Sequence, residues 1–164
     1  MDDAPAWVEW LHDLPISTYI RESLYLYPAL EVIHVVGALL LLGSIAIVDL
    51  RLLGAIFRDQ PISRISAQVL PLAFLGALLG FTSGILLFLS EAQQVWNNPM
   101  MAGKFALLIL AGINIGLWHL AEARNRARWD AQASPSVRAQ IAGGSSLLLW
   151  MSILVLGRLI AFVF

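Results

Sequence analysis

The sequence predicts an all-α integral membrane protein: a four-helix up-down bundle preceded by an amphipathic interfacial helix. Three observations predict it. Of the 164 residues, 59% are apolar and only 13% charged, against roughly 25% charged in a soluble domain. Four stretches are each long and apolar enough to cross a hydrocarbon core, which takes about 20 residues as a helix. Runs such as Val35–Leu42 and Leu147–Leu156 are apolar nearly all round, where a helix of a soluble bundle would keep a polar side. The same composition excludes disorder, which needs low hydrophobicity and high net charge. There are no cysteines and the formal net charge is −1. Thiol redox, zinc-thiolate and iron–sulfur chemistry are therefore excluded, and there is no basic footprint for nucleic acid.

Residues 1–23 carry Trp7, Trp10, Leu11 and Leu14 at helical spacing among Asp2, Asp3, Glu9 and Asp13. That pattern is an interfacial segment whose tryptophans suit the headgroup region. Its acidic start lacks the basic region of a signal peptide. The bundle takes up residues 24–164, with spans at about 24–50, 65–89, 101–121 and 141–164 by the apolar-length rule. Ser63 after Pro61 is the expected cap of the second span, Asn98-Pro99 of the third, and Ser134-Pro135 of the fourth. Connections are short, so neighbouring spans run antiparallel.

Basic residues set the orientation. Arg51, Arg58 and Arg64 follow the first span, and Arg124, Arg126, Arg128 and Arg138 follow the third; the opposite side holds Arg21, Lys104 and Arg158. The richer side is expected in the cytoplasm, with both termini outside. Arg124–Arg128 reads as an anchor on anionic lipid rather than a nucleic-acid patch.

Helix contacts are marked by small residues. Gly76, Gly80 and Gly84 make two small-xxx-small steps on the second span, and Gly112 and Gly116 make one on the third. Such spacing lets backbones approach where lipid supplies no hydrophobic drive. Gly143, Gly144, Ser145 and Ser146 give the fourth span a similar entry.

Ionisable groups inside a membrane are costly and usually face the bundle interior. The candidates are Glu31, His34 and Asp49 in the first span, His119 late in the third, and Arg158 in the fourth. At 100° per residue Glu31 and Asp49 point the same way, with His34 about 60° off, so the three share a stripe. An ion pair of Glu31 with Arg158 beside His34 is expected in the outer half. Asp49 and His119 are expected to meet near the cytoplasmic end, with Arg51 beside them in sequence. Lys104 should snorkel to the surface, and Asn114 should hydrogen-bond between helices. His34 and His119 are candidate haem or metal ligands. Their levels differ by roughly 12–18 Å at 1.5 Å per residue, so they are poor partners for one iron. No protease triad, metalloprotease motif or phosphate loop is present.

The run Tyr27-Pro28-Ala29-Leu30-Glu31-Val32-Ile33-His34, with Gly43-Ser44 and Asp49-Leu50-Arg51-Leu52-Leu53-Gly54, resembles a family of uncharacterised bacterial inner-membrane proteins with four spans. Asn98-Pro99, Lys104, Ala111-Gly112-Ile113-Asn114 and Trp118-His119 resemble its second signature. The resemblance implies a multi-pass protein of the bacterial inner membrane with both termini periplasmic. More distantly, a histidine early in an apolar helix is similar to copper-resistance D-type proteins and b-type cytochrome bundles.

Three functions fit these residues. The first is a redox component with haem b or quinone near His34, Glu31 and Arg158, working with other membrane or periplasmic redox subunits. The second is a non-catalytic anchor, assembly or accessory subunit. The third is a small-solute or metal-ion conduit.

Overall fold

The structure, a computed structural model, describes residues 4–130 and 135–162, without the side chains of 121–129. The regular elements among the described residues are all helices, in the order α1 (Ala6–His12), α2 (Pro15–Glu22), α3 (Leu26–Leu52), α4 (Ile62–Ser90), α5 (Ala92–Trp96), α6 (Pro99–Asp130) and α7 (Val137–Leu159). Four of these are long and apolar enough to cross a membrane: Leu26–Leu52, Ile62–Ser90, Pro99–Leu120 and Val137–Leu159. The protein is a multi-pass membrane protein.

The spans do not pack evenly. α3 lies against α4 along most of its length and also against α7; α7 in turn packs on α6. The remaining seam, between α4 and α6, is only sparsely closed. The α3–α4 seam is tight because glycines let the two backbones touch. A Cβ on Gly37 would collide with the backbone N of Gly80, and one on Gly76 with the backbone N of Leu41. Gly84 leaves room for the His34 ring, whose Cε1 would stand 2.9 Å from an added Cβ. At the α3–α7 crossing, a Cβ on Gly143 would stand 2.8 Å from the Asp49 carbonyl oxygen. The α6 pair behaves differently. Among the described residues nothing lies within 4 Å of a Cβ on Gly112 or Gly116, so this row packs against no described helix.

The cap layer departs from the single segment the sequence suggested. Residues 1–3 lie outside the described part, and the rest forms two helices, parted before Pro15, because proline has no N–H to continue a helix and fits its first turn. α1 packs on α5, a short helix inside what reads as a loop in the sequence. Trp7 meets Trp96 edge to face, with ring centroids 4.6 Å apart. Val8, Ser17, Ile20 and Ala92 are buried here, while Trp10, Tyr19, Leu24 and Tyr25 remain exposed, as an aromatic belt at a headgroup surface requires. Arg21 ties this layer to the spans by donating to Ser90 O at 3.0 Å and to His12 O at 3.3 Å.

Two of the expected caps differ. α4 starts at Ile62 with Pro61 before it, so Ser63 is not its cap. Instead both Ser63 N–H (3.1 Å) and its hydroxyl donate to the carboxylate of Asp130, the last residue of α6. A distant carboxylate thus satisfies an amide that the helix start leaves open. The cap of α7 is Ser136, which accepts from Ala139 N at 3.3 Å; Ser134 lies outside the described residues. At α6 Asn98 accepts from Met100 N at 2.9 Å and donates to Ile160 O at 3.2 Å.

Candidate functional site

Polar groups gather at two levels inside the bundle. The outer level is built on His34. Its ring leans across the α3–α4 seam where Gly84 leaves space, and Nδ1 lies 2.9 Å from Gly80 O and 3.2 Å from Ser83 Oγ. Ser83 itself donates to Leu79 O at 2.6 Å. A carbonyl only accepts, so the proton of neutral His34 sits on Nδ1 and Nε2 presents its lone pair. Lys104, half-buried on α6, runs along Gly157 of α7, whose added Cβ would stand 3.5 Å from Nζ.

The expected Glu31–Arg158 ion pair is not formed. Both side chains are exposed, and the Arg158 guanidinium sits over Phe162 instead, 4.8 Å from the ring centroid. Each side chain faces out of the bundle rather than toward the other, because the apolar contact between these helices is made by other residues: Leu41, Leu42 and Ile45 pack against the cluster of Ala111, Trp150 and Ile153.

The inner level is a cavity of about 250 Å³ walled by α3, α4, α6 and α7. Each span contributes a side chain with a hydrogen-bonding oxygen: Asp49, Ser66, Asn114 and Ser146. His119 and Trp118 line it as well, so Asp49 and His119 share one space. Asp49 is only 4% exposed. Its Oδ2 and the Ser66 hydroxyl are buried without a hydrogen-bond partner among the described residues. Asn114 accepts from Ser145 Oγ at 3.2 Å across α6 and α7, which leaves the other end of its amide over. Among the described residues no group of three or more His, Asp or Glu is placed to hold a metal ion.

The Asp-Leu-Arg-Leu-Leu-Gly string divides its work here. Asp49 enters the cavity and Leu52 joins a buried cluster with Ile62 and Ala139. Arg51, just over half a turn away, points elsewhere. Its side chain, 2% exposed, donates to Gln60 O at 2.9 and 3.0 Å and to Arg58 O at 3.2 Å, clamping the turn back on the helix end. Gly54 takes the positive φ of 73° with which that turn begins, a conformation open to glycine at no steric cost.

Ser66 and Trp118 are cavity residues that sequence reasoning missed, and Ser146 enters there only as a small packing residue. A serine in an apolar run carries little signal, since its hydroxyl can satisfy itself on the preceding turn. Ser152 does so, donating to Leu148 O at 2.8 Å.

A family model, described as a family of unknown function (DUF6644), matches residues 17–163. The chain belongs to that family. No curated protein and no solved structure matches it. The likeness to copper-resistance D-type and b-type cytochrome bundles therefore rests on the residues of the first span alone. The family match covers all four spans and α2, so both polar levels lie within the family's own extent.

Proposed function

We propose that this protein is a redox component of the bacterial inner membrane that carries a b-type haem on His34, in the outer half of the bundle. The posture of His34 carries this reading. Pinning one ring nitrogen on a backbone carbonyl is how metal-ligating histidines are usually oriented, and it leaves the other nitrogen for iron. Lys104 on α6 and Arg158 at the outer end of α7 supply cations for the haem's propionates. Glu31, exposed on the same stripe as His34, is suited to pass protons to the surface. His119 lines the inner cavity, at a different level from His34, and would not hold the same group. The basic residues favour cytoplasmic inner loops and periplasmic termini, so electron partners would meet the outer cap layer.

The test is the absorption spectrum of the protein purified from membranes grown with haem supply. A Soret band is expected, absent in His34→Ala and retained in His119→Ala. A colourless wild-type protein would sink the reading. One observation favours a second reading, an accessory subunit of a membrane complex: the exposed Gly112–Gly116 face of α6, where added methyls meet nothing. A colourless protein that co-purifies with a membrane partner, and loses it in Gly116→Leu, would support that reading instead.

A further inference from the structure

The inner cavity is separate from the His34 level and calls for its own ligand. A buried carboxyl with an unpartnered oxygen costs several kcal/mol unless a proton, a cation or a hydrogen-bonding ligand accompanies it. Asp49 has no ion pair among the described residues, and the Ser66 hydroxyl beside the same space is unpartnered too. The rest of the wall is mostly apolar, with Phe74 and Trp118 among the larger side chains. This chemistry suits a flat ring with polar atoms at its edge: apolar faces against the walls, edge atoms to Asp49, Ser66 and Asn114.

The way in is also visible. Leu70 and Phe74 of α4 and His119 of α6 line the cavity and are exposed, Phe74 by 71%. These residues flank the sparsely closed α4–α6 seam. Gly112 and Gly116 lie on the same α6 face as His119 by helical angle, and neither presents a side chain to block it. An entrance between two spans opens to lipid rather than to water, so the ligand is one that dissolves in the bilayer.

We propose that this four-helix cavity binds the head group of a lipid-soluble quinone or quinol, entering sideways from the bilayer between α4 and α6. Asp49 is the anchoring residue. Its carboxyl can donate to a quinone carbonyl when protonated and accept from a quinol hydroxyl when ionised, so it stays bonded to either form of the ring. Asn114, with one amide end held by Ser145, offers the other to the opposite edge. The site does not depend on haem: a colourless protein that binds quinone would remove the first reading and keep this one.

The test is equilibrium binding of decylbenzoquinone to the full chain in lipid nanodiscs, read by quenching of Trp118 fluorescence with Trp118→Phe as background. Saturable binding is expected, weakened at least tenfold in Asp49→Ala. Ala73→Trp, which fills the cavity while leaving Asp49 in place, should abolish binding and keep the helical circular dichroism of the wild type. Tetraphenylphosphonium serves as the competing probe. Saturable binding of the phosphonium in preference to the quinone would make this a cation site and overturn the proposal. So would quinone binding unchanged in both variants, or no saturable binding of either probe.

Discussion

The α3–α4 seam and the α4–α6 seam use the same helix to opposite ends. On one side α4 presents Gly76, Gly80 and Gly84 to α3, and the backbones close to contact. On the other, α4 and α6 barely touch, and the space between them becomes a mostly apolar cavity with a few hydrogen-bonding groups. Both α4 and α6 carry small-xxx-small spacing, yet only the α4 row meets a partner helix. Glycine spacing permits close approach; the opposite surface decides whether approach occurs. Gly37 makes the difference at α3, since it takes from the partner the side chain that would otherwise keep Gly80 away.

The largest expected effect tests that contrast directly. Gly37→Ala and Gly76→Ala each drive a methyl into backbone, and should each cost about 3 kcal/mol or more, at the upper end for overpacking. Gly112→Ala and Gly116→Ala should cost nothing and gain up to about 1 kcal/mol from helix propensity. Unfolding in mixed detergent micelles against denaturing detergent reads all four. Equal losses in both rows would mean that α6 is packed as tightly as α4.

Next in size is Arg51→Ala. It removes three charge-assisted bonds to the Arg58 and Gln60 carbonyls, and about 3 kcal/mol is expected, taking hydrogen bonds to a charged group at 1.5–3 kcal/mol and allowing for water to replace part of the set. The same unfolding assay checks it, and proteolysis within residues 54–61 should rise. Asp130→Ala should cost less, about 1–2 kcal/mol, because it strips the start of α4 of an acceptor that water can partly replace. Ser63→Ala in the Asp130→Ala background should then add almost nothing, since the two act as one unit. Smallest is Ser136→Ala at the start of α7, at about 1 kcal/mol, the usual worth of an N-cap.

The outer and inner polar levels were unequally legible. Asp49 and His119 share a cavity, and both stand out in the sequence as ionisable groups in apolar runs. The Glu31–Arg158 pair stood out in the same way and does not form. Helical angle places Glu31, His34 and Asp49 on one stripe, but angle along one helix says nothing about which part of that stripe the neighbouring helices cover. Here they cover Asp49 and half-bury His34, and leave Glu31 exposed. Ser66 was illegible for a different reason, because a single hydroxyl in a span is cheap wherever it points.

What the sequence determined by itself is the number of membrane-compatible helices, the amphipathic character of the N-terminal segment and the presence of costly polar groups within the spans. These follow from hydrophobic length and one-dimensional periodicity, which depend only on the chain. Tertiary structure decided which glycines touch a partner, that Asp130 rather than Ser63 completes the start of α4, and that oxygen-bearing residues from all four spans (Ser44, Asp49, Ser66, Asn114 and Ser146) face one cavity. Those outcomes depend on the distance and height between helices, quantities fixed by the fit of many side chains at once and carried by no single segment.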